Sequence, residues 1–83
     1  MIVKVLAAET DLTSATNVSL ATGVRLVNNQ GSTDQVIRKN SDGTTLGSFT
    51  LTANSVTFAE KDATDTLEGG GNILVAKVAY NIS

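Results

Sequence analysis

Residues 35–51 read Gln35-Val36-Ile37-Arg38-Lys39-Asn40-Ser41-Asp42-Gly43-Thr44-Thr45-Leu46-Gly47-Ser48-Phe49-Thr50-Leu51, and this stretch decides the fold class. Two runs rich in β-branched and hydroxyl residues flank an Asp42-Gly43 pair. Asp-Gly between such runs is a hairpin signal, because a two-residue type I′ turn needs positive φ at both central positions. Residues 35–40 and 45–51 are therefore expected to pair antiparallel. In the second arm Phe49 and Leu51 share a face with Gly47, while Ser48 and Thr50 share the other.

The same period of two continues on both sides. Downstream, Thr52-Ala53-Asn54 reads as a turn into a strand over residues 55–60, with Val56 and Phe58 on one face and Thr57 on the other. Upstream, Val24-Arg25-Leu26-Val27-Asn28 places Val24 and Leu26 inward and Arg25 in solvent, and Asn29-Gln30-Gly31-Ser32 closes it as a turn. A first strand is expected over residues 2–7, a polar turn region over 9–15 and a weaker strand over 17–20. Residues 73–80 alternate with apolar residues on both faces, as a central or covered strand does. Phe49, Val56, Phe58, Leu74 and Val78 are the expected buried residues. Asp65-Thr66-Leu67-Glu68 carries a capping-box spacing that fits a single helical turn, stopped by Gly69-Gly70-Gly71. About seven short strands at this spacing predict an all-β chain, a small antiparallel β-sandwich of jelly-roll type, with an open barrel as the alternative.

Composition bounds the chemistry. The 83 residues are 41% hydrophobic and 17% charged, the balance of a folded chain, and they suit one domain spanning 1–83. Aromatics are only 4%, so the core rests on Val, Leu, Ile and Ala and is thin. No cysteine is present to form disulfides, and no histidine is present to ligate a transition metal. Oligomerisation or docking on a partner is the remaining support for so small a domain. A net charge of −2 with scattered Lys and Arg argues against binding a phosphate backbone. No apolar run approaches the roughly 20 residues that span a bilayer. Met1 leads straight into Ile2-Val3-Lys4-Val5-Leu6 without the apolar stretch of a signal peptide, so the sequons at Asn17-Val18-Ser19 and Asn81-Ile82-Ser83 are expected to go unused.

The reactive-site motifs fail in turn. Catalysis needs a base, nucleophile or metal, and the hydroxyls here fall on alternate strand positions and in turns, where they are expected anyway. The triple glycine is followed by Asn72-Ile73 rather than the Lys of a phosphate loop. Placing Gly43 at the sixth position of a calcium loop puts Arg38 first and Phe49 twelfth, which excludes that site. The acidic residues Glu60, Asp62, Asp65 and Glu68 are interrupted by Lys61 and read as a solvated loop. No catalytic, cofactor-binding or metal residue is expected, and the chain is expected not to be an enzyme.

Three stretches together carry a resemblance: Thr22-Gly23-Val24-Arg25-Leu26-Val27-Asn28; then residues 37–51 as quoted; then Asp65-Thr66-Leu67 leading to Leu74-Val75-Ala76-Lys77-Val78-Ala79-Tyr80. The chain from Thr22 onward resembles the small virion structural proteins of tailed bacteriophages, especially those of marine hosts. The resemblance implies a capsid decoration or cement protein, made in the host cytoplasm and carried on the virion. Its implied partners are the major capsid protein or other virion proteins, in a homo-oligomer or many-copy array, and no catalytic residue carries over. A receptor- or glycan-binding tail or fibre domain is the alternative, weakened because Tyr80, Phe49 and Phe58 all fall at core-like positions. The first strand, residues 2–6, is a candidate for pairing with another chain, beside the reading that it is internal to the sheet.

Overall fold

The computed structural model describes residues 2–70 and 72–81. Gly71, the end of the sequon Asn81-Ile82-Ser83, and the side chain of Tyr80 lie outside what is described. Among the described residues there are eight strands and no helix: β1 Ile2–Val5, β2 Thr10–Asp11, β3 Gly23–Asn28, β4 Asp34–Lys39, β5 Thr45–Leu51, β6 Val56–Glu60, β7 Thr66–Glu68 and β8 Ile73–Asn81. All pairings are antiparallel. One sheet runs β1-β8-β3-β6, with β2 also on β8; the other runs β5-β4-β7.

The interleaving is that of a jelly roll. Strands one, eight, three and six form one layer, and seven, four and five the other. The place of the second strand beside β7 is taken by a single bridge. There Thr16 and Leu67 exchange both backbone hydrogen bonds, at 3.0 and 2.9 Å. β1 and β2 together run along β8, with the Leu6 amide donating to the Lys77 carbonyl between them. The chain then crosses at Leu12 to the opposite layer and returns at Ala21.

The core lies between the layers. Val24, Leu26, Ile73 and Val75 fill it from one sheet and Val36, Leu51 and Leu67 from the other, while Leu12, Val18 and Ala21 close it from the crossing segment. The inward parity of Val24 and Leu26, the pairing of residues 35–40 with 45–51, and the central position of the last strand all match the sequence reading. Residues 2–5 pair with β8 at the end of their sheet, so β1 is an edge strand of the chain's own sheet rather than an internal one.

Four expectations are corrected. Val56 and Phe58 lie on the outer face, 49% and 37% exposed, and it is Thr57 and Ala59 that turn inward. Phe49 has the expected face, in register with buried Val36, but sits at the rim on the edge strand and is 38% exposed. Leu74 is half-buried on the outer face, and of the five expected residues only Val78 is buried. Second, the hairpin turn is not type I′. Gly43 has φ +93°, Asp42 does not share it, and the Gly43 amide donates to the Asn40 carbonyl. This is a type I turn closed by a glycine bulge, which needs positive φ at one residue only. Asn40 and Asp42 hold it by accepting from the amides of Asp42 and Thr44. Third, residues 66–68 are strand, not helix, because Leu67 is drawn into the core between β4 and Thr16. Fourth, residues 17–20 form a turn rather than a strand.

That turn is strained. Val18, Ser19 and Leu20 have φ of 54°, 55° and 59°, three consecutive left-handed residues without a glycine. Each costs about 1–2 kcal/mol for a side chain with a Cβ. Val18, 93% buried, offsets part of that cost with its core contacts, and Asn17 Oδ1 accepts from the Leu20 amide.

Candidate functional site

Three features outside the core have the geometry to meet another molecule. The first is a charged cluster where β4 meets the segment before β7. Arg38 Nε and Nη2 both donate to Asp65 Oδ2, the first at 2.8 Å, and Asp62 Oδ2 stands 3.6 Å from the same guanidinium. Asp65 is buried and also accepts from the Asp62 amide. The Arg38 hydrogen bonds hold its carboxyl below the usual 3.8. Lys61, only 6% exposed, places Nζ 3.3 Å from the carbonyls of Asp62 and Ala63. Burial pushes its pKa below the ordinary 10.5, partly opposed by the charge of Asp65. Two of the acidic side chains of residues 60–68 are thus tied to cations: Asp65 to Arg38, and Glu68 to Lys39 at 2.7 Å. Among the described residues no group of three or more His, Cys, Asp or Glu converges.

The second is a cleft of about 720 Å³ at one end of the sandwich, between the left-handed turn and the 60–63 segment. Leu6, Leu20 and Val78 give it an apolar side, and Glu60, Lys61 and Lys77 a polar one. Its two ammonium groups are engaged with main-chain carbonyls: Lys61 as above, and Lys77 with Ser19 at 3.0 Å. The strained turn is therefore tethered across the cleft by Lys77. Engaged lysines beside carboxylates offer no net positive field to an anion and no free base for catalysis.

The third is the outer face of the larger sheet. Register places Val56, Val27 and Leu74 in one row across β6, β3 and β8, and Phe58, Arg25 and Ala76 in the next. Arg25 bonds Glu9 at 3.2 Å, so the one cation on these rows is neutralised by a neighbouring carboxylate. The result is an apolar band on the outer face, most exposed at Val56 and Phe58, whose β6 and β8 residues the sequence reading had assigned to the core. Comparison with family models, curated proteins and solved structures found no match for this chain.

Two structural residues escaped the sequence reading. Asn28 is fully buried and joins the layers, its Nδ2 donating at 2.9 Å to the carbonyls of both Ser32 and Leu51, while Oδ1 has no partner. The signal was available: Asn28 continues the inward parity of Val24 and Leu26. Lys61 gave no such signal, since its burial depends on a loop that folds over it. Gly70 belongs with them, because the Asp34 carboxylate occupies the space a Cβ would take there. Gly69 and Gly70 are thus packed positions, with the Gln35 carbonyl and the Asp34 carboxylate close to where their Cβ atoms would stand.

Proposed function

We propose that this chain is a non-enzymatic virion structural protein, a capsid decoration or cement protein that binds the outside of a phage head in many copies. The observation that carries the reading is the outer apolar band of Val56, Phe58, Val27 and Leu74. A sheet face with that content loses water favourably against a partner surface, at about 25 cal/mol per Å². The resemblance of residues 22–28, 37–51 and 65–80 to phage virion proteins agrees with it, and so does the jelly-roll strand order, on fold-level analogy alone. Mass action explains the benefit to the chain itself: a partner that binds only the folded state adds to the stability of a thin core.

A second reading, a tail or fibre domain for a host receptor or glycan, gains from one observation. Phe58 and Phe49, placed in the core by parity, are both more than a third exposed, and exposed aromatics are what sugar rings stack on. Particles made without the protein distinguish the two. Loss of resistance to heat or osmotic shock with normal adsorption supports the cement role. Full robustness with failed adsorption supports the receptor role, and absence of the protein from purified particles removes both.

A further inference from the structure

The two sheets present four edges, and three are guarded. β1 carries Lys4, β6 carries Glu60, and β7 is covered by the Thr16 bridge. The fourth edge, β5, is Thr45-Leu46-Gly47-Ser48-Phe49-Thr50-Leu51: seven residues with no charge and no proline. Thr45 through Thr50 are all exposed, and among the described residues β5 pairs only with β4. Its one irregularity, where the register shifts opposite Arg38 and Lys39, lies at the hairpin end and leaves residues 47–51 regular. Natural edges usually carry a charge, a proline or a central bulge because an unguarded ladder accepts another strand.

We infer that β5 is a self-association edge, pairing antiparallel with β5 of a second copy about a two-fold axis at Ser48. The sequence is complementary to itself in that register. Phe49 of each copy lies across from Gly47 of the other, an aromatic covering a glycine. No like charges face each other along the strand. A two-fold contact must be self-complementary, and a heterologous partner gives no reason for this symmetry about Ser48. The inference is independent of the virion reading.

The test is sedimentation of the purified chain from roughly 10 μM to 1 mM, with Ser48→Lys and Ser48→Glu, each checked for native circular dichroism. Ser48 is exposed, so neither change meets the core. A single strand edge is a small interface, and the expected dissociation constant is of the order of 100 μM. Each variant alone sets like charges across the axis and weakens association at least about tenfold. An equimolar mixture of the two restores the dimer, less so at high salt. In the unmutated protein, hydrogen exchange at alternate β5 amides slows as concentration rises. A chain that stays monomeric across the range overturns the inference, as does a dimer indifferent to both variants or a mixture that fails to associate.

Discussion

Asn28→Ala tests how the two layers are held together. Asn28 Nδ2 ties β3 to the end of β5 and to the loop at Ser32, both at 2.9 Å. Each bond contributes about 1 kcal/mol net, and the buried Leu51 carbonyl left without its donor costs about 1–3 kcal/mol more. Against that, the change removes Oδ1, a buried acceptor already without a partner, which returns about 1 kcal/mol. The balance is a loss of about 2–4 kcal/mol, a large share of what a chain of this size commands. Urea denaturation reads it as a fall in midpoint at unchanged slope. Asn28→Asp sharpens the test, because it keeps the shape and removes the donor. A carboxyl buried there has a raised pKa, so the folded state binds more protons than the unfolded state and stability falls as pH rises from about 4 to 7. Losses below about 0.5 kcal/mol in both variants, with no such pH dependence in the second, would refute the bridging role.

The remaining expectations address the faces, the turn and the charged cluster. Leu26→Ala, in the centre of the core, costs about 3 kcal/mol, and Phe58→Ala, on the outer face, about 1 kcal/mol; the reverse order in denaturant melts means β6 is turned the other way. Gly43→Val costs about 1–2 kcal/mol through its positive φ while Gly43→Asn is much milder, and equal midpoint losses would exclude the glycine-bulge turn. Asp65, its carboxyl held low by Arg38, contributes stability that is present above the unfolded value near 3.8 and is lost as pH falls through the folded value. Asp65→Asn should flatten the acid limb of the stability profile, and an unchanged limb contradicts the assignment. Lys61, its pKa lowered by burial, binds fewer protons when folded, so stability rises with pH as it approaches 10.5. Lys61→Met should abolish that rise, and its persistence in the variant would assign it to another group.

How much of this was legible in the sequence follows from what period-two patterning contains. It tells which side chains share a face, and it did so for β3, β5 and β6. It does not tell which face turns inward when both carry apolar residues. On β6 the larger pair, Val56 and Phe58, attracted the core assignment, yet it is Ala59 that packs against the core cluster, with Thr57 on the same face. The Asp65-to-Glu68 capping pattern was local and real, but Asp65 found Arg38, 27 residues away, and Leu67 found the core. Tertiary burial outweighed one turn of helix. The left-handed turn at residues 18–20 carries no sequence mark at all, since Val, Ser and Leu all disfavour it.

β8 pairs with β1, β2 and β3, so most of one layer is organised by the last strand in the chain. Until it is made, the emerging polypeptide has the β4–β5 hairpin and the β3–β6 ribbon, with nothing to join β1 and β2 to either. Closure therefore waits for synthesis to reach residue 73 and beyond, and the search then bridges nearly the whole chain, as between Ile2 and Asn81. Non-local strand pairing of this kind places folding in the millisecond-to-second range. Over that interval the uncharged β5 segment is exposed, and any crowding of nascent copies meets it before the finished sandwich exists.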